Sequence, residues 1–329
     1  MLQIGEVSKE GTKFSEMLGK DLYESLDETQ QAKFQEDNTM GNSGDLYTTV
    51  LAKFIWYKSY NDFKKYFDLV WNLTPSDLGE MAGAGAYKIP KIKGAVAAKI
   101  ADGEVVEYTN KNKESVVLET ETYAVGTKIT RRLIKRGAKG FIQKLMASAS
   151  DAVLREVCTD IANGLVAGAA TANTKAVGIT MDAIADAELA LQTAADSTTG
   201  VLFGFKPNVL AFSSVGWNIM KKSGDYKLLV QYNQIAPANE VHTGFFKWNS
   251  GTSLMDVTVF ELITATKGGK AVHAIVYDKD NFFTYLQETG METFDGRLPG
   301  TAGDMESIMA LDAGMVAMNQ EAASVITAA

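Results

Sequence analysis

Two histidines and one cysteine are all that 329 residues offer of the side chains that most often attack a carbonyl, shuttle a proton or hold a zinc ion. His273 falls in the apolar run AVHAIVY, where a packed, hydrogen-bonded imidazole is a simpler reading than a base. His242 stands in VHTG, a loop signal, with no cysteine or second histidine nearby to complete a zinc set. Cys158 lies among apolar residues at helical spacing and reads as a small buried hydrophobe. Being alone, it excludes an internal disulfide. Two Gly-Lys stretches, GAGAYK at 83–88 and KGGKA at 267–271, lack the GxxxxGK(S/T) spacing that cradles phosphates. Glu119 and Glu121 share one face of a strand and read as a solvated edge. Asp278 and Asp280 bracket a turn without the glycine a calcium loop demands. No GxSxG elbow marks a nucleophile, although a Ser-His-Asp set assembles from distant positions. Asn72-Leu73-Thr74 spells a glycosylation acceptor in a chain with no other sign of secretion. These residues predict no catalytic, cofactor or metal site, and hence no enzyme.

One segment has another kind of chemistry. Eight of the chain's 31 aromatic residues fall between Phe54 and Trp71, interleaved with Lys58, Lys64 and Lys65. Such interleaving can stack the bases of single-stranded nucleic acid. Asp62 and Asp68 offset the lysines, however, and aromatics are equally at home in packing and at subunit interfaces. Packing, much of it between subunits, is the expected use.

The long element that must position everything else runs from Gly137 to Gly168. Ile142, Leu145, Ala149, Val153, Val157, Ile161 and Leu165 recur at three- and four-residue steps, with Met146, Leu154, Cys158 and Ala162 alongside. That is one apolar stripe on an unbroken helix. Before it the chain reads as strands. KIPKIKGAVAAKIA meets the hairpin dipeptide Asp102-Gly103, EVVEYT follows, then Asn110–Lys113 and ESVVLETETYAVGTKIT. Neither face of that last strand is apolar enough for a core, and an isolated hairpin is marginal in water. This ribbon is therefore expected to find its support on another molecule.

After the helix the chain reads as a mixed domain. Asp182 is a candidate cap for a helix carrying Ile184, Ala187 and Leu191. A short strand at Val209–Phe212 leads to Ser213 or Ser214 as a cap, and that helix ends on Lys221 and Lys222. Residues 256–263, 271–277 and 281–286 read as strands, and ESIMALDAGMVAMNQEAASVIT as a final extended segment. At 46% hydrophobic and 22% charged, the composition suits a globular core. The net charge of −8 is concentrated at the start, where residues 1–45 hold ten acids against four lysines. That stretch reads as a mobile or partner-ordered arm, and no basic stripe for duplex binding follows it. No signal peptide or membrane span is read. The expected protein is soluble and stays where it is made, or leaves by a route that needs no leader.

The order of these parts resembles the major capsid protein of tailed double-stranded DNA bacteriophages and archaeal tailed viruses, over about 80% of the chain from residue 70 onward. ITRRLIKRGAKGFIQKLMASASDAVLREV resembles the family's strand-into-spine junction, and PNVLAFSSVGWNIMKK its axial strand-then-helix segment. The resemblance implies an α+β fold with an N-terminal arm (1–70), an extended hairpin loop (71–125), a peripheral domain with its spine helix (126–176), an axial domain (177–290) and returning C-terminal strands (291–329). It implies hexamers and pentamers of an icosahedral shell around packaged double-stranded DNA, contacted non-specifically. It also implies portal, scaffolding or decoration partners, no membrane, and a place in the virion capsid after assembly in the host cytoplasm. The expected assembly contacts are the hairpin residues Lys99, Asp102, Gly103, Glu104, Asn110, Lys111, Asn112 and Lys113, with the aromatics Phe54, Trp56, Tyr60, Phe63, Phe67 and Trp71. Some relatives cross-link a loop lysine to an asparagine. Lys88, Lys91, Lys93 and Lys99 stand as donors here and Asn319 as acceptor, with no matched triad. Two alternatives stay open: an encapsulin-type nanocompartment shell, and an oligomeric nucleic-acid-binding protein using residues 54–71.

Overall fold

The computed structural model describes residues 20, 23–24, 31, 54–55, 59–73, 86–90, 115–130, 132, 139–195, 200, 202–224, 246–249, 254–288, 292–297 and 305–329. The chain divides into two compact units, one of Met1–Lys64, Glu121–Val157 and Gln287–Ala313, the other of Lys65–Thr120, Cys158–Leu286 and Gly314–Ala329. The fold is mixed α+β, and its longest element is the helix α1, Lys139–Gly168. Its 30 residues span about 45 Å at 1.5 Å per residue. Buried Met146, Ala149, Val153, Leu154, Val157, Cys158, Ile161 and Leu165 follow the spacing that predicted it.

The second unit is built on a seven-stranded sheet. It contains β4 (Thr174–Lys175), β5 (Val209–Phe212), β6 (Phe246–Asn249), β7 (Leu254–Val259), β8 (Thr266–Lys267), β9 (Lys270–Tyr277) and β13 (Ala323–Thr327). The spatial order is β4-β13-β9-β5-β7-β6, with β8 paired to β9. The central strand β9 is buried from Val272 through Tyr277, as a strand covered on both faces must be. On one face Leu210, Phe212, Val257, Ala274, Val276 and Ile326 meet two helices, α2 (Met181–Gln192) and α3 (Ser214–Lys222). Those helices contribute Ala183, Ile184, Ala187, Trp217 and Met220.

The caps fix where each helix begins. Thr180, not the predicted Asp182, caps α2, its hydroxyl accepting from the Ala183 amide at 3.1 Å. Ser213 caps α3: Oγ accepts from the Gly216 amide at 3.1 Å and itself donates to the His273 carbonyl at 3.2 Å. The Ser213 amide donates to the same carbonyl at 2.9 Å. This doubly held carbonyl draws α3 so close to β9 that only a residue without Cβ fits at Gly216, where a Cβ would lie 1.9 Å from His273 O.

α1 has no basic residue in its last turn. The charge comes instead from Lys267, whose ammonium donates to the carbonyls of Val166 (3.0 Å), Ala167 (3.1 Å) and Ala169 (2.8 Å). Three donors meet three carbonyls at the negative end of the helix dipole. Gly268 and Gly269, with φ of 60° and 76°, make the two-residue turn joining β8 to β9 and so aim this side chain. The KGGK stretch is a hairpin turn.

A second sheet has the order β1-β10-β12-β3-β2, formed by β1 (Trp71–Leu73), β10 (Phe283–Gln287), β12 (Met305–Ala317), β3 (Ser115–Ile129) and β2 (Ala86–Pro90). β2 pairs antiparallel with β3 from Ala86↔Glu119 to Pro90↔Ser115. Here the expectation of an unsupported ribbon is corrected at its base. Tyr87, Ile89 and Leu118 are buried with Leu286 and Met318, and Trp71, Leu73 and Val316 pack against them. Gly314 lets β12 approach, since a Cβ there would lie 2.5 Å from Glu119 O. The hairpin beyond Pro90, residues 91–114, lies outside the described residues, as do most of residues 1–53.

Two further boundaries differ from the sequence reading. Between β9 and β10 a short helix, α4 (Lys279–Phe282), is capped by Asp278. That buried carboxylate accepts from the Asp280 and Lys206 amides and the Asn281 side chain. The final extended segment is two strands, β12 and β13, parted by a 3-10 turn at Gln320–Ala322.

In the first unit β11 (Glu292–Arg297) pairs antiparallel with Met305–Ala310 of β12. Thr122 Oγ1 donates to Asp312 Oδ1 at 2.6 Å, and the Glu288 amide to Asp312 O at 2.9 Å. Side chains of β3 from Thr122 to Lys128 alternate between exposed and half-buried.

Candidate assembly surfaces

The aromatic segment is largely consumed by the chain's own packing. Residues 59–67 are helical. Phe67 is completely buried with its ring 5.1 Å from Tyr285, and Phe63 is buried too. Neither has surface to offer a neighbour, which corrects their expected role as contacts. Trp71 is half-buried against the Tyr87 and Leu118 cluster. Phe54 is exposed and Tyr60 half-buried, so these two keep accessible area. Trp56 lies outside the described residues, as do Lys99, Asp102, Gly103, Glu104, Asn110, Lys111, Asn112 and Lys113.

Stacking on bases is also closed at Tyr66. Tyr66 stacks on Phe260 at 4.7 Å, and Lys65 Nζ lies 4.8 Å from the Tyr66 centroid. Burial raises the Tyr66 phenol above its ordinary value, partly offset by Lys65. Tyr277 is wholly buried, its hydroxyl donating to Leu69 O at 2.9 Å, and burial again pushes its pKa up.

Among the described residues no group of His, Cys, Asp and Glu is arranged to hold a metal ion. Nor is any described helix long and apolar enough to cross a membrane. Cys158 is buried and desolvation pushes its thiol up, the reverse of what a nucleophile needs. His273 is packed as expected, but its Nδ1 is buried without a hydrogen-bond partner, correcting that half of the reading. Burial holds it below the usual imidazole value. His242 is outside the described residues. Of the cross-linking candidates, Lys88 is exposed on β2, whereas Asn319 is buried and its side-chain amide donates to Asn281 O at 2.9 Å. Lys91, Lys93 and Lys99 are not among the described residues.

What sequence reasoning missed are apolar side chains left in water on otherwise well-packed elements. On α2, Leu189 is 57% exposed, and on α3 Val215 is 57% and Ile219 41% exposed. Leu202 is exposed beside the end of α2, where it bridges Ala195. Periodicity contained this signal, because these residues stand off the stripe that faces the sheet. α3 carries its charge on the same outer side, with Lys221 Nζ 5.8 Å from the Trp217 ring and Lys222 exposed.

The long helix, the unit built on a central sheet and the returning strands make a mixed α+β fold shared with solved phage capsid chains. The chain superposes on one from Mycobacterium phage Che8 with a TM-score of 0.54 at 13% identity, covering 79% of this chain and 90% of that one. The capsid of a native GTA particle gives 0.54 at 13% identity over 81% and 90% of the two chains. A chain of Mycobacterium phage Bobi gives 0.51 at 10% identity over 80% and 90%. No family model matches the sequence, and no curated protein does.

Proposed function

We propose that this chain is the major subunit of a closed viral shell, a protein whose work is to associate with copies of itself. The observation that supports the reading most is the shared chain path, which takes in 90% of the GTA capsid chain. Exposed apolar side chains on the capped helices α2 and α3 fit the same role, offering a neighbouring copy apolar surface to bury. In this reading residues 126–176 form the peripheral domain, 177–290 the axial domain and 291–329 the returning strands. The arm (1–70) and the extended loop (71–125) reach across neighbours. Lys99, Asp102, Gly103, Glu104, Asn110, Lys111, Asn112 and Lys113, with Phe54, Trp56, Tyr60 and Trp71, are the contacts on that reach. The subunits form hexamers and pentamers, enclose double-stranded DNA without reading its sequence, and meet portal, scaffolding or decoration proteins. Assembly takes place in the host cytoplasm and the finished protein resides in the virion.

Expression of the full chain, followed by sedimentation and electron microscopy, tests this. Closed particles of uniform diameter are expected. Protein that stays a monomer or dimer under every assembly condition would overturn the proposal. Nuclease-protected DNA in particles from infected cells is the expected content, and a protein cargo in its place would turn the reading to a nanocompartment.

A further inference from the structure

The outer faces of α2 and α3 carry opposite chemistry at the same spacing. Along α2 the exposed positions i, i+4 and i+7 are Asp182, Asp186 and Leu189: acid, acid, apolar. Along α3 they are Val215, Ile219 and Lys222: apolar, apolar, base. Neither aspartate nor Lys222 has an ion-pair partner among the described residues. Both helices pack on one face of the same sheet through their inner sides. Their outer sides therefore point into solvent, and one copy cannot bring its own two faces together.

We propose that the outer face of α2 docks, antiparallel, on the outer face of α3 of a second copy of this chain. Only the antiparallel direction matches like with like. It sets Leu189 on Val215, places Asp182 opposite Lys222, and leaves Asp186 beside Ile219 within a turn of the same ammonium. A parallel pairing puts each aspartate on an aliphatic side chain and Lys222 on Leu189. The antiparallel one also opposes the two helix dipoles favourably. The shell reading takes the contact as heterologous, repeated head to tail round a ring, rather than as a two-fold in which both faces of one copy meet both faces of the other. Each copy keeps one free face of each kind, so the association propagates until a ring closes. The contact rests on the shell reading and supplies it with the surface that joins neighbours within one ring.

The test is a charge exchange with a cross-linking control, on the full chain. Asp182→Lys alone and Lys222→Asp alone are each expected to reduce the assembled fraction on the order of tenfold, as like charges come face to face. The two together restore it. Full assembly by both single variants, or no restoration by the pair, overturns the contact. For the control, a chain carrying Leu189→Cys and Val215→Cys is oxidised with diamide. It should give a ladder of covalent oligomers on a non-reducing gel, while each chain with only one of the two substitutions, its native Cys158 buried, stays monomeric. Dimers from a singly substituted chain would mean that like faces meet, and a discrete dimer without a ladder from the doubly substituted chain would mean a two-fold contact; either would refute the proposal. So would particles that form normally and yield no ladder. If the parent itself forms no particle, the shell reading fails instead.

Discussion

Replacing Gly216 by alanine adds one methyl group, and the geometry says it cannot be absorbed. The new Cβ would lie 1.9 Å from His273 O and 2.6 Å from its carbon, both backbone atoms of the buried central strand, whereas ordinary contact begins near 3.4 Å. α3 would have to withdraw by about 1.5 Å. Doing so breaks the two bonds from Ser213 to the His273 carbonyl, at about 1 kcal/mol each. It also disturbs the seat of Trp217 and Met220, a repacking that costs about 1–3 kcal/mol. Against this, alanine in a helix gains about 1 kcal/mol over glycine. The net expectation is a loss of about 2–4 kcal/mol. Urea unfolding of the purified chain, followed by tryptophan fluorescence, measures it. Gly224→Ala is the matched control, with nothing within 4 Å of its Cβ, and should change little. The opposing helix term makes the sign decisive. If Gly216→Ala is as stable as the parent or more so, the close approach of α3 to β9 is wrong.

Lys267→Met keeps the alkyl stem and removes all three donors to the end of α1, for a loss of about 2 kcal/mol. Hydrogen exchange should quicken in the last turn of α1 and hold elsewhere. Thr180→Ala should cost about 1 kcal/mol in thermal melts, while Asp182→Asn, two positions too late to cap, should cost only a few tenths. The pH dependence follows from His273, whose imidazole burial holds below the ordinary 6.5. Between that lowered value and 6.5 the unfolded chain binds more protons than the folded one. Stability present above pH 6.5 is therefore lost as pH falls through the window. Denaturation curves from pH 7 downward should show this slope in the parent and lack it in His273→Gln, and equal slopes would remove the assignment.

The parts of the fold written in local sequence were legible. The stripe from Met146 to Leu165 is periodic enough to fix both the helix and its buried side. Ser213, Phe212 and Lys221–Lys222 place a strand, a cap and a helix end that agree with one another. Choices between equivalent local signals were not legible. Thr180 and Asp182 can both cap, and only the register of α2 against the sheet selects the first. Lys267 binds carbonyls some 100 residues earlier in the chain, and Tyr277 a carbonyl 208 residues away. No window of sequence holds such pairs. The base of the ribbon failed for the same reason: Leu118 looks unsupported until Leu286 and Met318 arrive from the far end of the chain. The exposed faces of α2 and α3 were visible as residues off the stripe, but their meaning depends on both helices sharing one side of a sheet.

Strand β13 lies between β4 and β9, pairing Val325 with Thr174 and with Ile275. During synthesis, therefore, β4 and β9 stay unjoined until Ala323–Thr327 has been made and has entered between them.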